Sequence, residues 1–296
     1  MSLFHERNGN FSPEKTVALV GSCLPALWLA SWALMGDLGG RPVSAAIHFT
    51  GLWAIRLLFI SLAVTPARRI FHWPKLVLAR RILGVAAMSY AALHLTLFVM
   101  DQGWNVQAAA REIVLRFYLA IGAVAVALLL ALGATSFDRV IKRMGAKRWN
   151  ALHASVYGIA LLASAHFFIQ SKLDVTQAVL MSGFLIWLFA YRLWHRATNN
   201  VGLFALLALA VLSGVLTGLL EMAWYGLFTG IPVALVAEAN FQPAMGVSPA
   251  LWVLMAGLAV FVVAAVWLKI SPPKAKGKAA GSQKAPKVRP SVSPAG

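Results

Sequence analysis

The chain has 296 residues, of which 60% are hydrophobic and only 12% charged, whereas a soluble domain carries about a quarter charged residues. Its net charge of +17 lies in short connections and a terminal tail instead of on one folded face, which argues against nucleic acid as a partner. A single cysteine, Cys23, excludes a disulfide framework and a Cys-x-x-Cys redox pair, and its place inside an apolar run predicts a small core residue.

Residues 1–15 are polar and of mixed charge. The apolar run that follows has spanning length and no clear small-residue cleavage site, so it reads as a first membrane helix and not as a removed signal. In all, eight apolar runs stand out, at 16–35, 44–64, 80–100, 113–133, 150–169, 176–195, 201–220 and 249–269. About twenty residues at 1.5 Å rise cross a hydrocarbon core of ~30 Å. The expected fold is therefore an all-α integral membrane protein, a helical bundle of about eight transmembrane helices.

The connections alternate in charge. Arg68, Arg69, Lys75, Arg80 and Arg81 lie in the segment 65–81, and Arg139, Lys142, Arg143, Lys147 and Arg148 in 134–149. Arg192 and Arg196 lie in 191–200, and the tail is rich in lysine. The intervening connections carry only Arg41, Arg111 and Lys172, and 221–248 carries neither Lys nor Arg. The positive-inside rule then predicts both termini in the cytoplasm. Aromatic Trp224, Tyr225 and Phe228 in 221–248 suit an interfacial or re-entrant piece. Residues 271–296, dominated by Pro, Ala, Gly, Lys and Ser with no acidic or aromatic residue, read as a disordered basic tail that reaches at most the lipid surface.

Histidines inside spans are functional-site hypotheses by default. His94 lies fourteen residues past Arg80, and His166 sixteen past Asn150. Both therefore sit roughly 21–24 Å from the cytoplasmic side at 1.5 Å per residue. Two imidazoles at one depth on separate helices suit axial ligation of a single haem iron. With no Cys-x-x-Cys-His, such a haem is held without a covalent bond. Gly84, Ala87 and Ala91, which precede His94 at helical steps, either leave room for the flat macrocycle or form a helix-packing stripe.

His153 lies thirteen residues before His166, about 20 Å lower, at a level for a second haem. In a straight helix the two rings point roughly 140° apart, so either the helix bends, near Gly158, or the rings face different partners. His195 and His72 are at depths where either could supply a second ligand or serve as an ordinary interfacial residue. His48 lies near the outer haem or at an exposed helix start. Arg56, near mid-membrane, reaches a haem propionate or snorkels to the nearer face. No Gly-x-Gly-x-x-Gly follows a strand, and no soluble segment is long enough for a flavin or nicotinamide domain, so electrons must come from another protein or a membrane quinol. A cofactor-free transporter would place polar or broken helices at the midplane, where these runs offer little besides Arg56.

Three blocks resemble the ferric-reductase-like transmembrane family, and within it the haem-binding subunits of bacterial periplasmic methionine sulfoxide reductase systems. They are Ile47-His48-Phe49-Thr50-Gly51 with Leu62-Ala63-Val64-Thr65-Pro66; Arg80-Arg81-Ile82-Leu83-Gly84 through Leu93-His94-Leu95; and Lys147-Arg148-Trp149 with Leu152-His153, Tyr157 and His166. The resemblance implies a six-helix haem-binding domain over 16–199, with two added helices over 200–270 after the cytoplasmic 1–15 and before the tail. It implies b-type haem, one or two, on His94, His153 and His166, with FMN in some members. It further implies a bacterial inner-membrane location and an electron-transfer subunit not catalytic alone. Electrons would pass from a cytoplasmic flavin reductase or quinol to a periplasmic molybdopterin subunit that reduces methionine sulfoxide. A metal (ferric) reductase or a quinol-linked cytochrome serving another enzyme would use the same residues.

Overall fold

The computed structural model describes residues 4–6, 8–172, 174–242 and 246–271. Apart from Ser271, the predicted tail lies outside them. Among the described residues, eight helices are long and apolar enough to cross a membrane, and the protein is a multi-pass, all-α membrane protein with no strand in the described part.

In chain order the helices are α1 (Pro13–Met35), α2 (Pro42–Ile70), a short 3₁₀ turn (Pro74–Leu76), α3 (Val77–Asp101), α4 (Val106–Leu115), α5 (Phe117–Ala134), α6 (Asp138–Met144), α7 (Ala146–Ala154), α8 (Val156–Ser171), α9 (Thr176–Thr198) and α10 (Leu203–Trp224). A π-helical turn (Tyr225–Thr229), α11 (Val233–Ala239) and α12 (Pro249–Ile270) complete the chain. Local chemistry sets several of these ends. Ser12 caps α1 through its hydroxyl, and Pro13 occupies the first turn, where a missing N–H costs nothing. Ser248 and Pro249 repeat the arrangement at α12.

Two of the predicted runs are divided. The run at 113–133 starts as a spanning helix only at Phe117, because extended backbone at Arg116 separates α5 from the shorter α4. Arg116 is ion-paired with Glu112 and donates to the Tyr118 hydroxyl, which keeps its charge at the end of the apolar segment. The run at 150–169 is interrupted at Ser155, whose N–H and hydroxyl both bond the Leu152 carbonyl. This tighter i→i+3 turn separates α7 from α8 three residues before Gly158. The connection 221–248 holds the π-helical turn and α11, a short helix.

The principal core joins α1, α2, α3, α5, α8 and α9, around Leu57, Leu58, Leu62, Ala87, Ile159, Ala160 and Leu185. The most extensive helix pair is α2 with α3. The α10–α12 hairpin packs on α9, around Tyr191, Leu206, Leu209 and Ala264. Its helices approach closely because Gly257 faces Ala210, and Gly183 of α9 faces Thr217 and Val253. Small residues at membrane helix crossings allow this.

One face of the bundle gathers the basic connections. There Arg81 pairs with Asp138 at 2.6 Å, Trp73 Nε1 donates to Glu14 at 3.0 Å, and Trp267 Nε1 donates to the Phe71 carbonyl at 2.8 Å. Cys23 is exposed, not a core residue. The reason is that α1 buries only a narrow stripe, Ala18, Ser22, Pro25 and Leu29, and Cys23 falls beside it.

Candidate functional site

A cavity of about 580 Å³ opens between α2, α3, α5 and α8, toward the face opposite the basic connections. Its lining is mostly apolar and small where the helices approach, with Gly51, Ala54, Ala91, Gly122, Ala125 and Ala163 among the residues. Polar groups gather at its rim, with His48, Gln170, Ser171, Asp174 and Gln177.

His94 of α3 and His166 of α8 both line this space. Each is held through one ring nitrogen. His94 Nδ1 lies 2.8 Å from the Ile47 carbonyl oxygen of α2, and His166 Nδ1 lies 2.8 Å from the Tyr118 carbonyl oxygen of α5. A carbonyl can only accept, so each Nδ1 carries the proton and each Nε2 keeps its lone pair. The ring centroids are 6.4 Å apart, with planes at 80°. The depth count from sequence thus led to two rings that the structure brings together.

That separation tests whether a haem iron fits. With a metal–imidazole bond of ~2.0 Å and a ring nitrogen ~1.2 Å from its centroid, two axial imidazoles stand about 6.4 Å apart, centroid to centroid. The Nδ1–H to backbone carbonyl bond is also the usual outer support of a metal-bound imidazole. The residues present fit two axial ligands of one iron. No group of three or more His, Cys, Asp or Glu side chains suited to a metal ion occurs among the described residues, and a haem requires only two protein ligands.

The small-residue stripe below His94 divides between the two roles expected for it. Ala91 lines the cavity, whereas Gly84 lies against Ser61 of α2 and Ala87 is fully buried in the core. His153 lies outside the cavity. Its Nε2 is 3.2 Å from the Thr135 hydroxyl, and its ring stacks on Trp149 at 4.0 Å. His195 stacks on Tyr191 with centroids 6.2 Å apart. His72 is exposed in a turn with φ of +50°. Among the described residues, neither of these rings contacts His153. Arg56 donates to Gln177 Oε1 at 3.2 Å and lies over the Trp53 ring, so it meets the cavity through a rim residue.

Sequence reasoning did not single out Gln177, Gln170, Gly122 or the Ile47 and Tyr118 carbonyls. The glycines and carbonyls lack any side-chain signature, and only the facing of α2 to α3 and of α5 to α8 brings them to the histidines.

Comparison with known proteins follows the same core. Residues 50–164 match the family model described as ferric reductase like transmembrane component. The protein-methionine-sulfoxide reductase heme-binding subunit MsrQ of Azospira oryzae is 34% identical over 191 residues, covering 64% of this chain and 82% of that protein. The MsrQ of Polaromonas naphthalenivorans is 39% identical over 187 residues, 60% of this chain and 85% of the relative. That of Herminiimonas arsenicoxydans is 32% identical over 206 residues, 68% and 94%. No solved structure matches the chain.

Proposed function

The chain belongs to the family of the protein-methionine-sulfoxide reductase heme-binding subunit MsrQ, and on that premise we propose that it is the membrane haem-binding, electron-transferring subunit of a methionine sulfoxide reductase system. The observation that carries the reading is the facing pair His94 and His166, each fixed through Nδ1, with Nε2 free and centroids 6.4 Å apart.

In this reading His94 and His166 would hold one b-type haem across the cavity, and the haem would supply a one-electron carrier inside the bilayer. The chain's own residues orient it. The Ile47 and Tyr118 carbonyls hold the ligand rings, and the glycine and alanine lining leaves width for a flat macrocycle. The rim residues His48, Gln177 and, through Gln177, Arg56 offer polar partners to its carboxylate edge. The apolar walls would give the group a low-dielectric lining. In this reading sulfoxide reduction belongs to a partner.

Electrons enter at the basic face, read as cytoplasmic, from a flavin reductase or a membrane quinol. They leave toward a periplasmic molybdopterin-containing reductase subunit. The bilayer is the bacterial inner membrane, with both termini in the cytoplasm. His153 stands nearer the basic face, and its use as a second haem ligand requires giving up its Thr135 bond, so one haem is the better supported number. FMN rests on the family resemblance, and no residue is assigned to it. A metal reductase or another quinol-linked cytochrome would differ in partners and not in this site.

Membranes or purified protein made with haem available should give a dithionite-reducible b-type spectrum. His94→Ala or His166→Ala should remove most of it. A preparation without Soret absorption would overturn the haem reading. Reoxidation of the reduced chromophore by methionine sulfoxide only in the presence of the periplasmic reductase would support the partner, and reoxidation by ferric chelates alone would favour metal reduction.

A further inference from the structure

The two ligand histidines are supported in the same way from two different helices. The Ile47 carbonyl lies four residues before Gly51, and the Tyr118 carbonyl four residues before Gly122. In an α-helix each of these oxygens already receives the N–H of the residue four positions on. The Cβ of that residue tilts toward the helix N-terminus and overhangs the carbonyl. Glycine at this position removes the overhang. A Cβ added at Gly51 would lie 2.9 Å from His94 Nδ1 and 3.0 Å from its Cε1. One added at Gly122 would lie 2.8 Å from both Cε1 and Nδ1 of His166. By contrast, a Cβ at Gly158, on the same helix as His166, meets nothing within 4 Å.

We propose that Gly51 and Gly122 are positioning residues for the haem: each opens a helix carbonyl to the facing imidazole, beside the carbonyl's helix N–H partner and, at Ile47, the Thr50 hydroxyl, and so sets that ring's tautomer and plane. This rests on reading His94 and His166 as axial ligands. A methyl group at either position pushes the ring off its carbonyl. The Nδ1–H then loses its acceptor, the ligand becomes less basic, and the ferric iron loses stabilisation relative to the ferrous form. The mutual angle of the rings changes as well.

The test uses full-length protein purified with haem. Gly51→Ala and Gly122→Ala are each expected to weaken haem retention by ~10–100-fold, the usual cost of losing an outer-shell partner. They should also move the midpoint potential of the remaining haem to a more positive value and alter the ferric low-spin electron paramagnetic resonance signal, which depends on the angle between the rings. Gly158→Ala should leave all three readouts at the wild-type values. A merely structural role would lower yield without moving the potential of the surviving haem. Wild-type potentials and resonance spectra in both variants overturn the inference while the haem reading stands; a wild-type protein without haem overturns the reading beneath it. Should the variants fail to accumulate, proton hyperfine spectroscopy of the unaltered ferric protein reads the same bonds. It is expected to show strongly hydrogen-bonded, exchangeable Nδ1 protons, and their absence refutes the proposal.

Discussion

The α10–α12 hairpin should be separable in energy from the haem-binding core, and Gly257→Ala tests this. Gly257 lies on α12 against Ala210 of α10, both buried. An added Cβ would stand 2.5 Å from the Ala210 Cβ and 2.9 Å from its Cα, whereas carbon atoms rest at about 3.5–4.0 Å. The neighbours are backbone and a methyl group, which cannot swing aside, so the helices must part by roughly 1 Å. Overpacking of this kind costs about 1–3 kcal/mol. The cavity lies on the other side of α9, between α2, α3, α5 and α8. Thermal denaturation in detergent should therefore show earlier unfolding by tryptophan fluorescence, while the Soret band of the haem-loaded protein holds its wild-type position and midpoint. Ala210→Gly in the same chain removes the 2.5 Å contact and leaves the one at 2.9 Å, so it should recover part of the loss. Haem loss in step with the fluorescence change would refute the idea that the hairpin is an appended unit.

Three further outcomes follow from single contacts. His153→Ala should leave the chromophore of His94 and His166 intact in redox titration, since the ring is engaged by Thr135 and Trp149 outside the cavity; disappearance of a resolved second redox wave would instead assign it a haem. Arg56→Gln should shift the midpoint potential to a more negative value, because removing a positive charge beside the cavity rim disfavours the added electron; an unchanged potential in a titration at low salt would count against its contact with the site. Trp73→Phe should destabilise the basic face by about 1–3 kcal/mol, because it withdraws a donor from the buried Glu14 carboxylate; chemical denaturation of the solubilised protein measures it, and a neutral result would show that water replaces the indole.

Much of the architecture was legible because spanning length and charge alternation are coarse signals that lipid enforces. The agreement in depth of His94 and His166 was legible for the same reason: a fixed rise per residue turns sequence number into height. Facing was not. In a membrane both the packed and the lipid-exposed sides of a helix are apolar, so nothing in the pattern separates Cys23 from the neighbouring Ser22, which is buried. The interruption at Ser155 rests on backbone and hydroxyl bonds to Leu152 that the residue type alone does not dictate. Gln177 carries no distinguishing signal in the sequence, and only the tertiary fold brings it to Arg56, 121 positions away.

The tethering of His94 to α2 and of His166 to α5 also bears on the order of assembly. His94 and its carbonyl belong to α2 and α3, complete once the ribosome has passed Asp101, while His166 and its carbonyl need α5 and α8, complete only at Ser171. The two ring–carbonyl pairs are thus encoded one after the other along the chain. If the rings are the haem ligands, a site that uses both is complete only after α8 has been made, and joining the two helix pairs is its last step.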